Sequence, residues 1–167
     1  AHGKGLRVMR IAVHPARQRA GVGLALLQQI EVAARGSGVD WLGSSFGLTD
    51  ELHQFWCRAG FNTLRVGFGR DHVSGTHAAL MLKPLSSAAQ ALQYQVQERL
   101  REQIAWLLVE PLRDLEPRLV LRVLAELAVS VTLSHQDRLD GVAFASTERQ
   151  YDNCRVALRK LVLAAAG

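Results

Sequence analysis

Apolar residues gather at Val8, Met9, Ile11, Ala12 and Val13, so Lys4 to Val13 reads as a strand that stops at Pro15. From Val22 the period lengthens. Leu26, Leu27, Ile30 and Ala34 recur at helical spacing, and Gly36-Ser37-Gly38 supplies the glycines that end a helix. Trp41 to Phe46 is short and apolar, a second strand set parallel to the first because a helix joins them. Thr49 reads as an N-cap, with Asp50 and Glu51 in the first turn, where the helix dipole favours carboxylates. That helix carries Leu52, Phe55, Trp56 and Ala59 and stops at Gly60. Phe61–Phe68 and His77–Leu82 read as an antiparallel pair across a turn at Asp71–Gly75.

At Ser86-Ser87 the pattern becomes wholly helical. Leu92, Val96, Leu100, Ile104 and Leu108 step by four along a helix ending near Pro111. Pro117 suits a first helical position, and Leu119 to Leu133 is apolar on nearly every face, which predicts a helix central to a small bundle. Ser134-x-x-Asp137 has the form of a capping box for a short third helix. Tyr151, Cys154, Leu158, Leu161 and Ala165 mark the buried face of a fourth. The expected domains are therefore 1–85, mixed α/β, and 86–167, all-helical.

Composition adds bounds. With 167 residues, 49% hydrophobic and 21% charged, the chain has the makeup of a soluble globular protein, and a cytoplasmic one is expected. No apolar run approaches the roughly 18 residues of a membrane helix, and no signal peptide is visible. Cys57 and Cys154 lie far apart without metal-ligand partners at useful spacing, so reduced thiols and no metal are expected. The first residue is not Met, which suggests a fragment or a processed chain. The net charge of +5 is uneven: residues 1–85 hold ten basic and five acidic side chains, and residues 86–167 hold ten of each. A coenzyme or a nucleic acid would both suit that basic half.

Between the first strand and the first helix lies Arg17-Gln18-Arg19-Ala20-Gly21-Val22-Gly23. The first amides of a helix lack internal acceptors, and the dipole adds positive charge there. Gly21 and Gly23 let the backbone approach an anion, and Arg17 and Arg19 add charge-assisted donors. An ordinary strand-turn-helix with solvated arginines would have the same residues. The GxxxxGK[ST] pattern of a nucleoside-triphosphate loop is absent.

Gln18-x-x-Gly21-x-Gly23 after a strand resembles the coenzyme-A pyrophosphate loop of the GNAT acetyltransferases. R-I-A-V-H-P (10–15), S-S-F-G-L-T-D-E-L (44–52), F-W-C-R-A-G-F (55–61) and S-G-T-H-A-A-L-M-L-K-P-L-S (74–86) occur in that order. Together they look like the acetyltransferase module of the bacterial tRNA(Met) cytidine acetyltransferases. Q-Y-D-N-C-R-V-A-L-R (150–159) is similar to that family's C-terminal region. The resemblance implies a partial GNAT fold with a mixed sheet and a small helical domain behind it. It also implies transfer of acetyl from acetyl-CoA to N4 of the wobble cytidine of elongator tRNA(Met). ATP with Mg2+ would act through an upstream module that this sequence lacks, together with the early GNAT elements, so the chain alone is expected to be inactive or partial.

Carried over residue by residue, the resemblance puts Ile11, Ala12 and Val13 beside pantetheine. Gln18, Arg19, Ala20, Gly21, Val22, Gly23 and Leu24 would hold the pyrophosphate, and Glu51 and Arg58 match two further acetyl-CoA positions. Dipole compensation and a solvated helix end account equally for Glu51 and Arg58. His14, just past the cofactor strand, is the candidate base, with a structural histidine beside Pro15 as its alternative. Trp56 stands where many GNAT enzymes carry a tyrosine acid and cannot serve as one. Arg65, Arg70, His72 and Lys83, with Arg149, Arg155, Arg159 and Lys160 on the last helix, could meet RNA phosphates or simply face water. Two other readings compete: a GNAT enzyme for a small amine or protein N-terminus, and a non-catalytic interaction domain.

Overall fold

The structure is a computed structural model that describes residues 3–129 and 131–166. Among them a four-stranded sheet has the order β1-β2-β4-β3, from β1 (Gly5–Val8), β2 (Trp41–Gly47), β3 (Asn62–Arg70) and β4 (His77–Pro84). β1 and β2 are parallel, as the helix between them requires, and β4 runs antiparallel to both β2 and β3. The expected strand over Lys4–Val13 is thus only four residues long. Its pairing with β2 ends at Val8↔Ser44, and Met9–His14 continue outside any ladder.

Helix α1 (Val22–Gly36) and helix α2 (Asp50–Arg58) end where the sequence indicates. Thr49 Oγ1 accepts the Leu52 amide at 3.3 Å, and Ser37 closes α1 with its amide on Ala33 and Ala34. The buried stripe of α1 is Gly23, Leu27 and Ala34; Leu26, placed on it by periodicity, is 45% exposed. Lys83 of β4 fastens both helices to the sheet. Its ammonium bonds the Ala59 carbonyl at 2.7 Å and pairs with Glu31 of α1. Arg35 bonds the same carboxylate and the Leu85 carbonyl. Lys83, with Arg35 helping, holds the Glu31 carboxyl below its usual range.

Helix α3 (Ser87–Leu107) is capped by Ser86 and packs on β3 and β4; its buried side chains are Ala89, Leu100 and Ile104, while Leu92 is half-exposed. The change of sequence pattern at Ser86 therefore marks the start of α3, whereas the two compact units divide after Leu119.

The second unit begins within α4 (Pro117–Glu126) and contains α5 (His135–Ala145) and α6 (Tyr151–Ala166). α4 ends well before Leu133, because Ala128 turns to φ 48° and the amides of Leu127, Ala128 and Val129 fold back on the last turn. The rest of the predicted helix passes through Ser130, which lies outside the described residues. α6 buries Cys154, Ala157 and Leu163, with Leu158 and Leu161 half-buried. Tyr151 and Ala165, expected on that face, are exposed. Both cysteines are free thiols. No helix among the described residues is long and apolar enough to cross a membrane.

The capping box at α5 is formed: Ser134 N donates to Asp137 Oδ2 at 2.8 Å, and Asp137 N to Ser134 Oγ at 3.1 Å. Lys160 of α6 reaches the same carboxylate at 3.0 Å, joining the two helices. Bonds from the Ser134 hydroxyl and amide, then Lys160, lower the Asp137 pKa from 3.8 to about 2. A depressed carboxylate stabilises the folded state fully above its unfolded pKa and loses that contribution as pH falls through the folded one. The helical unit should therefore lose stability as pH falls from about 4 towards 2, followed by circular dichroism. Asp137→Asn should flatten the titration in that window.

Candidate functional site

The parting of β1 from β2 creates the site. Ser45, Phe46 and Gly47 continue on β4, opposite Leu80, Ala79 and Ala78, after β1 has left. The Ser44 hydroxyl donates to the Val8 carbonyl at 3.3 Å, at the last paired position. Beyond it, Ile11, Ala12 and Val13 lie past the end of β1 rather than within it. The Gln18 side-chain amide donates to the Val13 carbonyl at 3.1 Å and folds the chain back on itself.

A single 3-10 turn, Pro15–Arg17, follows, with His14 as its cap: Nδ1 accepts the Ala16 amide at 3.3 Å. A neutral ring that accepts at Nδ1 carries its proton on Nε2. In this geometry the basic lone pair of His14 is occupied by the turn. Arg19 follows with φ 60° and Gly21 with φ 80°, the left-handed region that favours glycine. Gly21 is the N-cap of α1 and no side chain caps it; the first amide to turn back is that of Ala25. The amides before it are the orphans of a helix start, aimed outward. A Cβ at Gly21 would meet nothing, whereas one at Gly23 would come within 3.0 Å of the Phe55 ring and 3.5 Å of Val13. One glycine permits the turn's conformation, and the other lets α1 close on α2.

α2 brings Glu51 to the turn, where it pairs with Arg19 at 3.3 Å, both side chains almost fully exposed. Arg58 sits at the far end of α2, about 10 Å along the helix axis, bonded to Gln54. The structure thus gathers Gln18 to Leu24 and Glu51 but sets Arg58 apart. Trp56 is 3% exposed. It stacks on Phe46 at 5.6 Å and meets Phe55 and Phe61 edge-on at 5.4 and 4.8 Å, so it is the core that seats α2.

A family model described as GNAT acetyltransferase 2 matches residues 25–86. Over those residues the chain is a GNAT acetyltransferase segment. It is 43% identical to the tRNA(Met) cytidine acetyltransferase TmcA of Nitrosococcus halophilus, over 93% of this chain and 21% of that protein. It is 34% identical to the TmcA of Thermococcus sp. strain AM4, over 95% of this chain and 20% of that protein. The chain thus spans about a fifth of the length of these curated relatives. Among solved structures it is similar to Ard1 from Thermoplasma volcanium, with a TM-score of 0.46 and 20% identity over 50% of this chain and 57% of that one. The GNAT fold implies acetyl-CoA. The turn fits its pyrophosphate: the helix start is uncapped, Gly21 faces open space, and Arg17 and Arg19 are exposed. An apolar groove of about 610 Å³ lies elsewhere, between β1 and the second half of α1, lined by Leu6, Val8, Ile30 and Ala34 among others.

The expected RNA contacts divide sharply. Lys83 is consumed inside the GNAT fold by Glu31 and Ala59, and is not free for a phosphate. Arg70 bonds the Asp114 carbonyl at 3.0 Å, with its carboxylate at 3.8 Å. In the helical unit Lys160 pairs with Asp137 and Arg149 with Asp140, while Arg159 is half-buried with its Nη2 enclosed. Arg65, His72 and Arg155 are exposed.

Two buried histidines escaped the sequence reading. His53 Nε2 lies 3.1 Å from Thr63 Oγ1 and ties α2 to β3; its spacing of three from Trp56 marks the same buried face. His77 Nδ1 donates to the Gly67 carbonyl at 2.8 Å, and no local pattern announces it. From this geometry, acetyl-CoA should raise the melting temperature of the chain, by an amount worth about 2.7 kcal/mol at a hundredfold excess over Kd. Arg19→Ala should leave the ligand-free melting temperature nearly unchanged and reduce that gain. Gly23→Val should cost about 1–3 kcal/mol through Phe55 even without ligand.

Proposed function

We propose that this chain is the acetyl-CoA-binding part of a tRNA cytidine acetyltransferase that modifies N4 of the wobble cytidine of elongator tRNA(Met). The observation that carries the reading is the 43% identity to TmcA of Nitrosococcus halophilus, which runs through both the GNAT elements and the helical unit. A GNAT module shared with enzymes for small amines would not account for similarity over 93% of the chain. ATP with Mg2+ is assigned to a separate module of the whole enzyme.

When bound, acetyl-CoA supplies an acetyl thioester. The orphan amides of α1, with Arg17 and Arg19, hold the pyrophosphate, and Arg19 exchanges Glu51 for it. Ile11 and Ala12, outside any ladder, offer backbone groups to the pantetheine amides. Past Ser44, β2 offers one open edge whose amides suit a developing oxyanion. The acceptor nitrogen of cytosine is a weak nucleophile because its lone pair is delocalised into the ring. Rate then comes chiefly from holding it in place, with proton removal as a second contribution. His14 serves as that base only after releasing the Ala16 amide, so His14→Ala should lower kcat modestly and loosen the turn.

The deciding measurement is N4-acetylcytidine in tRNA digests from cells with and without the gene. The modified nucleoside should vanish with the gene and return with it. An unchanged level would overturn the reading in favour of a GNAT enzyme for a small amine or protein N-terminus.

A further inference from the structure

The strand directions bring more than the cofactor turn to one end of the sheet. The ends of β1 and β2, the start of β4 and the end of β3 lie together there, since β4 opposes β2 and β3 opposes β4. Two strand spacings, about 10 Å, separate β2 from β3. Across this end Ser45, Leu80 and Arg65 form one cross-strand row, and Gly47 and Ala78 stand opposite one another nearer the strand ends. Arg65, Leu80 and Ala78 are exposed along it, while the Thr76 and Ser74 hydroxyls stand over Gly47.

At its rim the β3 register slips between Val66 and Arg70, and Gly67-Phe68-Gly69 leaves the regular ladder. Phe68 is 52% exposed, and the Arg65 guanidinium lies over its ring, 5.7 Å from the centroid. Arg70 and Lys83 have carboxylates nearby; Arg65 has none within ion-pair distance among the described residues. Leaving a phenyl ring half in water forgoes apolar burial, and the glycines on either side carry no side chain to crowd it. A ring whose face is covered only by a guanidinium with no carboxylate to hold it suits an unpaired nucleotide: the guanidinium moves to the phosphate and yields the ring face to the base.

We propose that Phe68 and Arg65 form a stacking platform for an unpaired nucleotide of the RNA substrate, beside the end of the sheet where β1 and β2 part. The proposal rests on the RNA reading above and extends it to a residue that positions the substrate. Paired RNA would not fit, because a base must leave its helix to stack on a side chain.

The test is fluorescence anisotropy of this chain with a short single-stranded oligoribonucleotide, intact or with one abasic position. Phe68→Ala should weaken binding of the intact strand about five- to hundredfold without changing the melting temperature, and Phe68→Trp should restore it. The abasic strand should bind the wild type weakly and be indifferent to Phe68→Ala. Arg65→Ala should instead lower the salt dependence of binding by about 0.7 in log–log slope. Equal binding of the intact strand by wild type and Phe68→Ala would overturn the platform. If N4-acetylcytidine still depends on the gene, that result leaves the RNA acetyltransferase reading standing. A wild-type chain that binds no RNA overturns the platform whatever the digest shows, and a gene-independent digest removes the reading beneath it.

Discussion

Everything at the candidate site depends on two strands that pair for four residues and then separate. β2 keeps its full ladder with β4 because alternate side chains there are buried, Leu42, Ser44, Ala79 and Met81 among them. β1 has no such hold beyond Val8, where the chain turns outward towards Pro15. Had β1 continued to Val13 in register, its amides would be spent on β2 and there would be no gap for a ligand to enter. The cap at His14, the clasp of Gln18 on Val13, and the contact of Gly23 with Phe55 all serve to return the chain from that departure into α1.

The elements were largely legible because each carried its own punctuation. Thr49, Ser86 and the Ser134-Asp137 pair cap the helices their positions announce, and glycines close α1 and α2. What could not be read was set by partners distant in sequence. The apolar run to Val13 looks like strand, but strand needs a neighbour, and the chain leaves β2 after Val8. Leu26 and Leu92 fit a helical period yet face outward, since the period gives a stripe and not its width. Ala128 ends α4 in a conformation that glycine would have advertised.

The candidate site was legible in a similar way. Gly21 and Gly23 stand out because backbone geometry restricts the residue types there, whereas Gln18 comes only from the resemblance. The basic residues could not be sorted, since a guanidinium in the sequence looks the same whether it faces water or a carboxylate. Lys83 and Arg70 are engaged within the fold, while Arg65 stands over Phe68. Internal pairing takes up one carboxylate with each cation and leaves the net charge of +5 unchanged; what it decides is which cations are left to meet a polyanion.

The tie made by Lys83 also bears on the order of assembly. It joins residues 31, 59 and 83, so it can form only after α1, α2 and β4 have each found the others. Contacts of that kind are absent from an early nucleus, which closes short loops first. Strength invested there slows unfolding and leaves the folding rate nearly untouched. Lys83 is in this sense a latch on the finished sheet, set at the end opposite the splayed one: it bears on how long the sheet keeps its two helices rather than on how quickly they are gathered.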